Sequence, residues 1–531
     1  MRRILIFLVC IWFSLFETLH AKEYNILNFG AVADTAVLST QAIQKAIDEC
    51  TASGGGRVII PSGRFKTGTI IIKSNVGIYL EHGAVLYGSK NLADYLPLKP
   101  EYVSLRTQEA TVQLIYAENA QNISITGYGE IDGQGSSFKK MSWNDEGITR
   151  PHLLRFITCT HVSVENITLR NSGCWMQHYL ACEGVQLKGL MIFNRNNFNN
   201  DGIDIDGCRN VTISDIISDS DDDGITLKST SPRLCENITI TNCVISSRCN
   251  AIKMGTESNG GFRNVAISNC VIKPSQMLAP SFFGNTLGTS GISLEIVDGG
   301  TMQGVTISNI QIEGTESPIF IRLANRGRPY KKDMEINHTG TLQDVSINQV
   351  RIYNAGSIGC SITGLPGSPV ANIRLSDICF EQAGGGKAED VTREIPEKPK
   401  DYPEATMFGP LPAYGFFIRH ARNISFNDME FAFQQQDARP AIYLNDVDAS
   451  SFTGMVMEST SETPGNIFLE NTENILVQGS TVKGPSTCFV NLTGEQSSKI
   501  IIVNNVTGKE TAVFKSAGQK HDVYECGNLK W

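Results

Sequence analysis

The sequence predicts an all-β fold, a right-handed parallel β-helix (solenoid) with a small N-terminal helix-containing cap. Three observations carry this. One pattern (apolar, polar, apolar, polar, Asn/Asp/Gly, apolar) recurs along the chain. Its central copies begin at residues 162, 185, 211, 238 and 265, a period of about 25 residues that suits a stacked repeat. No helical periodicity separates the copies, which excludes an alternating β-α architecture.

The elements follow in order. Residues 1–21 read as an export signal: Met1-Arg2-Arg3 is the basic end, Ile4 to Phe16 the apolar run, and Leu19-His20-Ala21 the cleavage site. The run is too short to span a bilayer, and no later stretch qualifies, so an exported protein without a transmembrane segment is expected. Residues 22–100 form the cap and first coils. They hold the one convincing helix, which Ser39 or Thr40 can cap and whose apolar face is Ala42, Ile43, Ala46 and Ile47. A cap is needed because a stack of coils otherwise ends in an unpaired strand edge. Residues 101–531 form the β-helix with inserted loops. The pattern starts at Ile123, continues through Val162, Val185, Val211, Ile238 and Val265, and returns at Val305, Val345, Ile373 and Ile424, more weakly near Ile475 and Ile501. The Asn or Asp closing each copy suits a turn residue with positive φ. The Gly-, Pro-, Lys- and Glu-rich stretch 384–412 reads as a long loop at the mouth of a groove, because the repeat resumes after it.

The 531 residues carry a net charge of −9, which argues against a nucleic-acid partner. The chain has 14 cysteines. Cys243 and Cys270 fall at one repeat position, and they read as small apolar core residues rather than disulfide partners.

Aligning the repeats locates a site. Asp201-Gly-Ile stacks on Asp223-Gly-Ile, Asn250-Ala-Ile and Ser290-Gly-Ile, with His178 in the same column, and Asn200, Asp222 and Cys249 form the adjacent column. Alternation gives two further outward columns: Asp204, Thr226, Lys253 and Ser293; then Asp206, Lys228, Gly255, Glu295 and Arg322. Coils stack ~4.8 Å apart, so Asp201, Asp222 and Asp223 share one face. Carboxylates so crowded cannot all ionise near neutral pH. One proton-bearing acid beside a carboxylate is what glycosidic cleavage requires. A solvated corner and a calcium site are the competing readings of the same residues.

At these residues the sequence resembles glycoside hydrolase family 28, the polygalacturonase family of pectin-degrading enzymes. Asn200-Asp201-Gly202-Ile203-Asp204 is similar to the family's Asn-Thr-Asp-Gly-apolar-Asp signature, and Asp221-Asp222-Asp223-Gly224-Ile225 to its Gly-Asp-Asp signature. Asn171-Ser172 through Trp175 to His178 resembles its Asn-Ser-x-x-Trp-x-x-His segment. The resemblance implies an inverting hydrolase with Asp222 as general acid and Asp201 and Asp223 holding the attacking water. It also places Asn200, Trp175 and His178 near the substrate. Two positions depart from the family. Asn250 stands where a His is expected, and Ser293-Leu294-Glu295 stands where Arg-Ile-Lys would hold a uronate carboxylate. Glu295 would repel that group, so the cation is expected from Lys228 or Lys253, with Arg322 behind them. An exo-acting galacturonidase or a rhamnogalacturonan-type enzyme therefore fits better than an endo-polygalacturonase. The expected partner is a pectic polysaccharide or oligosaccharide; no metal or other cofactor is expected, and a monomer is. A calcium-dependent polysaccharide lyase and a non-catalytic carbohydrate-binding β-helix are the alternatives.

Overall fold

The computed structural model describes residues 22–138, 149–276, 286–494, 497–516 and 521–531. The export segment predicted over 1–21 lies outside the described residues. The chain coils into a right-handed parallel β-helix. A typical coil has three strands: His152–Ile157, Thr160–Glu165 and Thr168–Arg170 pair in parallel with Gln177–Leu180, Glu183–Lys188 and Met191–Asn194 of the next coil. In later coils the second and third strands run together, as in Gly261–Pro274 and Thr301–Glu313.

The predicted repeat is the middle strand of each coil. Ile123, Val162, Val185, Val211, Ile238, Val265, Val305, Val345, Ile373 and Ile424 lie in one ladder of direct register. All are buried and stack down the axis. Toward the C-terminus the register sets Ile475 over Ile500, and Ile501 faces solvent, so the weak copy begins one residue earlier than the pattern suggested. The polar residue closing each copy has positive φ: Asn166, Asp215, Asn242, Asn269 and Asn309 lie between 54° and 59°. Asn and Asp tolerate this region because the short side chain bonds locally.

Helix α1 (Thr40–Ala52) closes the N-terminal end, burying Ala42, Ile43, Ala46, Ile47 and Cys50. Ser39 holds the N-cap position, but its hydroxyl engages the backbone of Val32 instead of the helix. Thr40 Oγ1 accepts from Gly68 N, so both expected caps tie the helix to its surroundings.

The 384–412 segment is packed, not loose. Ile395, Ala405, Phe408 and Leu411 form a second small core with Phe320 and Phe417 on the outer face of the coils. Thirteen free cysteines lie among the described residues; eleven are buried, and Cys243 and Cys270 stack in the core as expected.

Candidate active site

The aspartates sit in the turns that lead into the strands Ile203–Asp206 and Ile225–Ser229. Gly202 and Gly224 let these turns stack. A Cβ on Gly202 would come within 2.6 Å of Gly224 O, and one on Gly224 within 2.5 Å of Ala251 O. Asn200 is wholly buried and folds its turn. Its Nδ2 donates to Ser172 O and Cys174 O, and its Oδ1 accepts from the Asn196 and Asn197 amides. Ser247 Oγ donates to Asp222 O at 2.6 Å and fixes the second turn.

The predicted column holds as a hydrogen-bond chain. Ser290 Oγ donates to Asn250 Oδ1 (2.5 Å), and Asn250 Nδ2 donates to Asp223 Oδ1 (2.8 Å). His178 does not belong to it. Its register partner is Asp204, because Trp175 occupies the position above Asp201. His178 Nε2 lies 3.1 Å from Asp206 Oδ2, and burial pushes its pKa down to about 4, so the ring is neutral and donates.

The two lysines serve the aspartates. Lys253 Nζ lies 3.2 Å from Asp223 Oδ2. Lys228 Nζ lies 3.5 Å from Asp201 Oδ2, 3.4 Å from Asp204 Oδ1 and 3.8 Å from Glu257 Oε2, over the Trp175 ring. Glu295, expected beside Lys228 and facing substrate, is instead fully buried beside Lys253, outside the cavity lining, and accepts from Ser293 Oγ. Burial raises its carboxyl to about 8, so it is neutral at pH 7 and presents no repelling charge. Arg322 is also spent elsewhere, outside the cavity lining. It donates to Thr363, Gly364 O and Glu397 O and so ties the 384–412 loop to the coils. His420 bonds Asp446 and Glu397 and likewise does not reach the cavity.

Three insertions wall the groove into a cavity of about 1250 Å³ lined by Asp201, Asp222, Asp223, Trp175, His178 and Lys228 among others. The segment before Thr111–Glu118 lies along it. Leu105 N bonds Thr230 O, Arg106 pairs with Glu257 at 2.8 Å, and Gln108 bonds both Tyr330 O and Lys332 N. The segment after Thr315–Leu323 brings Arg326, Arg328, Lys331 and Lys332, and the 384–412 loop brings Tyr402 and Glu404. Tyr402 stands between Lys253 and Arg326, its ring centre 5.7 and 5.6 Å from their charges. Burial would raise the Glu257 carboxyl, but Arg106, Lys228, Arg328 and Arg326 outweigh it and hold it well below the usual range. Arg106, Arg326, Arg328, Lys331, Lys332 and Tyr402 were not foreseen. The one cue was the basic run Asn325-Arg-Gly-Arg-Pro-Tyr-Lys-Lys332 in an acidic chain.

The charge is divided unevenly over the aspartates. Burial first, then repulsion by Asp223, pushes the Asp222 carboxyl up to about 8, although Lys253 and Lys228 pull the other way. No cation lies within ion-pair distance of Asp222 among the described residues. Ligand atoms of Asp222, Asp223 and Cys249 lie within 4.8 Å of one another. That set suits calcium poorly, since a hard cation takes oxygen ligands, and burial first, then nearby carboxylates, drive the Cys249 thiol well up.

A parallel β-helix with a walled cleft and a clustered acid set defines a recognisable class of protein. The chain belongs to glycosyl hydrolases family 28, whose family model matches residues 50–399. It is 30% identical over 219 residues to a probable polygalacturonase of Vitis vinifera, covering 39% of this chain and 45% of that protein. It is 28% identical over 252 residues to an exo-poly-alpha-D-galacturonosidase of Dickeya chrysanthemi, covering 38% and 41%. The chain thus spans less than half the length of these curated relatives. In fold it is similar to a Yersinia enterocolitica family 28 exopolygalacturonase (TM-score 0.61, 19% identity, 81% of this chain and 78% of that one). It is also similar to a Thermotoga maritima exopolygalacturonase (TM-score 0.56, 23%, 68% and 87%).

Proposed function

We propose that this protein hydrolyses an O-glycosidic bond in a pectic polysaccharide or oligosaccharide, with inversion and from a chain end. Asp222 is the general acid, and Asp201 and Asp223 hold the attacking water. The observation that carries this reading is the contrast between two neighbours. Asp222 has no cation in contact and keeps its proton at neutral pH, whereas Asp223 is tied to Lys253 and Asn250. A protonated acid beside an ion-paired carboxylate is the working state of a glycosidase.

The cavity wall supports an acidic substrate. Arg106, Arg326, Arg328, Lys331 and Lys332 line it; Arg106 and Arg328 are shared with Glu257 and Arg326 with Asp298, and together with the two lysines they bring the positive charge that the Ser293-Leu294-Glu295 segment lacks. Tyr402 and the exposed ring of Phe198 supply flat surfaces for sugar rings, and Trp175, buried against Lys228 and Arg106, backs the site. Arg328→Ala is expected to raise KM for a galacturonide roughly 10–100-fold, the worth of one charge-assisted hydrogen bond. The methyl-esterified substrate should be little affected, which steady-state kinetics on the two substrates will show. A walled cavity also suits action at a chain end better than threading of a long polymer.

The test is incubation with pectic polysaccharides and oligosaccharides, with and without chelator, followed by NMR. A saturated product of inverted anomeric configuration, released one end unit at a time, is expected. The Asp222 and Asp223 atoms approach more closely than the ~6.5–9.5 Å usual for an inverting pair, so the first anomer formed decides the stereochemistry. Unsaturated, chelator-sensitive products would replace the hydrolase with a lyase. Binding without turnover would make the protein a carbohydrate-binding β-helix.

A further inference from the structure

Asp204 lies three residues after Asp201, fully buried, and the cavity does not reach it. Its two oxygens and Asp201 Oδ1 are buried acceptors that no described residue supplies with a well-placed donor. Lys228 Nζ comes nearest, at 3.4 Å from Asp204 Oδ1 and 3.5 Å from Asp201 Oδ2. Yet the Asp201 and Asp204 carboxyls are placed to hydrogen-bond each other. Two carboxylates in contact without a proton would repel, and buried acceptors without a donor are costly. A single proton between them removes both penalties.

We propose that Asp204 is a positioning residue for Asp201: the two buried carboxyls share one proton, and Lys228 holds the single negative charge left on the pair. The inference rests on the hydrolase reading of Asp201. The surrounding charges fit. Glu257, the third carboxylate on Lys228, is held by Arg106 and Arg328; Asp206 is bonded by His178 and Thr230; Asp223 is paired with Lys253. Asp222, the remaining acid facing Asp201, is the cluster's proton-bearing member. Lys228 is thus the one cation within reach of the pair among the described residues. Burial first raises Asp204 to about 7, with Lys228 and Asp201 opposing, and burial together with Asp204 and Asp222 drives Asp201 well up. Both directions agree with a shared proton.

The proton inventory closes. As the water oxygen bonds to the anomeric carbon, its O–H bond breaks and that proton passes to the Asp201–Asp204 pair. The glycosidic C–O bond breaks, and the leaving oxygen takes the proton of Asp222. The site resets when the pair releases one proton to solvent and Asp222 regains one.

The experiment is the pH dependence of kcat in D204N, K228M and K228R beside the unaltered protein. In D204N the single charge stays on Asp201 beside Lys228, but an amide donor replaces the stronger shared carboxyl proton, so the acidic limb should move up. In K228M the charge has lost its partner, so the same limb should move up as well, and K228R should restore it. A purely structural role would lower kcat without displacing the limb. A limb that stays put, or moves down in either variant, overturns the proposal. Infrared titration of protonated carboxyls gives a reading without substrate: one carboxyl proton present near neutral pH should vanish in D204N. If it does not, the shared proton is refuted whatever the enzyme cleaves. If it does, and no substrate is turned over, the fault lies with the hydrolase reading and not with the pair.

Discussion

Asp222→Asn is expected to lower kcat by about 10²–10⁴-fold, the usual worth of a positioned general acid, with KM little changed. It is also expected to stabilise the fold at neutral pH. The reason is a sign that follows from the raised carboxyl. In the unfolded chain Asp222 ionises near its ordinary value of 3.8, whereas in the folded protein it holds its proton up to about 8. As pH climbs through this interval the unfolded state sheds a proton that the folded state keeps, so the wild-type protein loses stability that the Asn variant does not lose. Melting curves should therefore coincide near pH 3.5 and separate progressively toward pH 8, the variant higher. In the unaltered enzyme the basic limb of the rate profile should fall as pH passes about 8, where the acid form disappears. A catalytic residue that weakens its own scaffold is an ordinary cost of function.

The second large effect is remote from the chemistry. Asp437 and Arg439 are both fully buried and bond each other through Nε at 3.0 Å and Nη2 at 2.6 Å. Asp437 Oδ2 also accepts from Gly386 N, and Arg439 donates to Leu411 O and Ser357 O. The pair therefore pins both ends of the loop that carries Tyr402 and Glu404. Asp437→Ala leaves an uncompensated guanidinium inside the protein and should cost about 3–5 kcal/mol, read as a fall in the urea midpoint. Removing the charge as well, in D437A/R439M, should recover part of that loss. In both variants KM should rise, because the wall facing Lys253 has lost its anchor.

The repeat, the cap helix and the acid cluster were legible because each rests on local periodicity. Val162 predicts Val185 and Val211 by composition and spacing alone, and a column of Asp201, Asp223, Asn250 and Ser290 follows once the coils are aligned. His178 was misplaced because the turn before Asp201 is longer than the turn below it, and that slips the register. The cations were legible in position and not in partner. Lys228 and Lys253 lie in the right columns, but only the folded chain shows how close Asp201, Asp204 and Asp223 come to them. Arg106, Arg328 and Tyr402 come from insertions of irregular length, and only tertiary folding decides which coil an insertion lies against. Glu295 shows the limit from the other side. Its column was right, yet burial strips it of the charge that the argument had given it.

The sulphur in the core gives the molecule a further property. Among the described residues cysteines run from Cys50 in the cap to Cys526 in a C-terminal coil, and nearly all are shielded from solvent. A thiol reagent meets Cys526 at once and the half-buried Cys379 next, and reaches the core thiols only when their own coil opens. In a stack where each coil leans mainly on its neighbours, opening can proceed from an end. The order in which Cys159, Cys208, Cys270, Cys360 and Cys488 become reactive therefore records the direction in which the structure comes apart, with no label added and no residue changed.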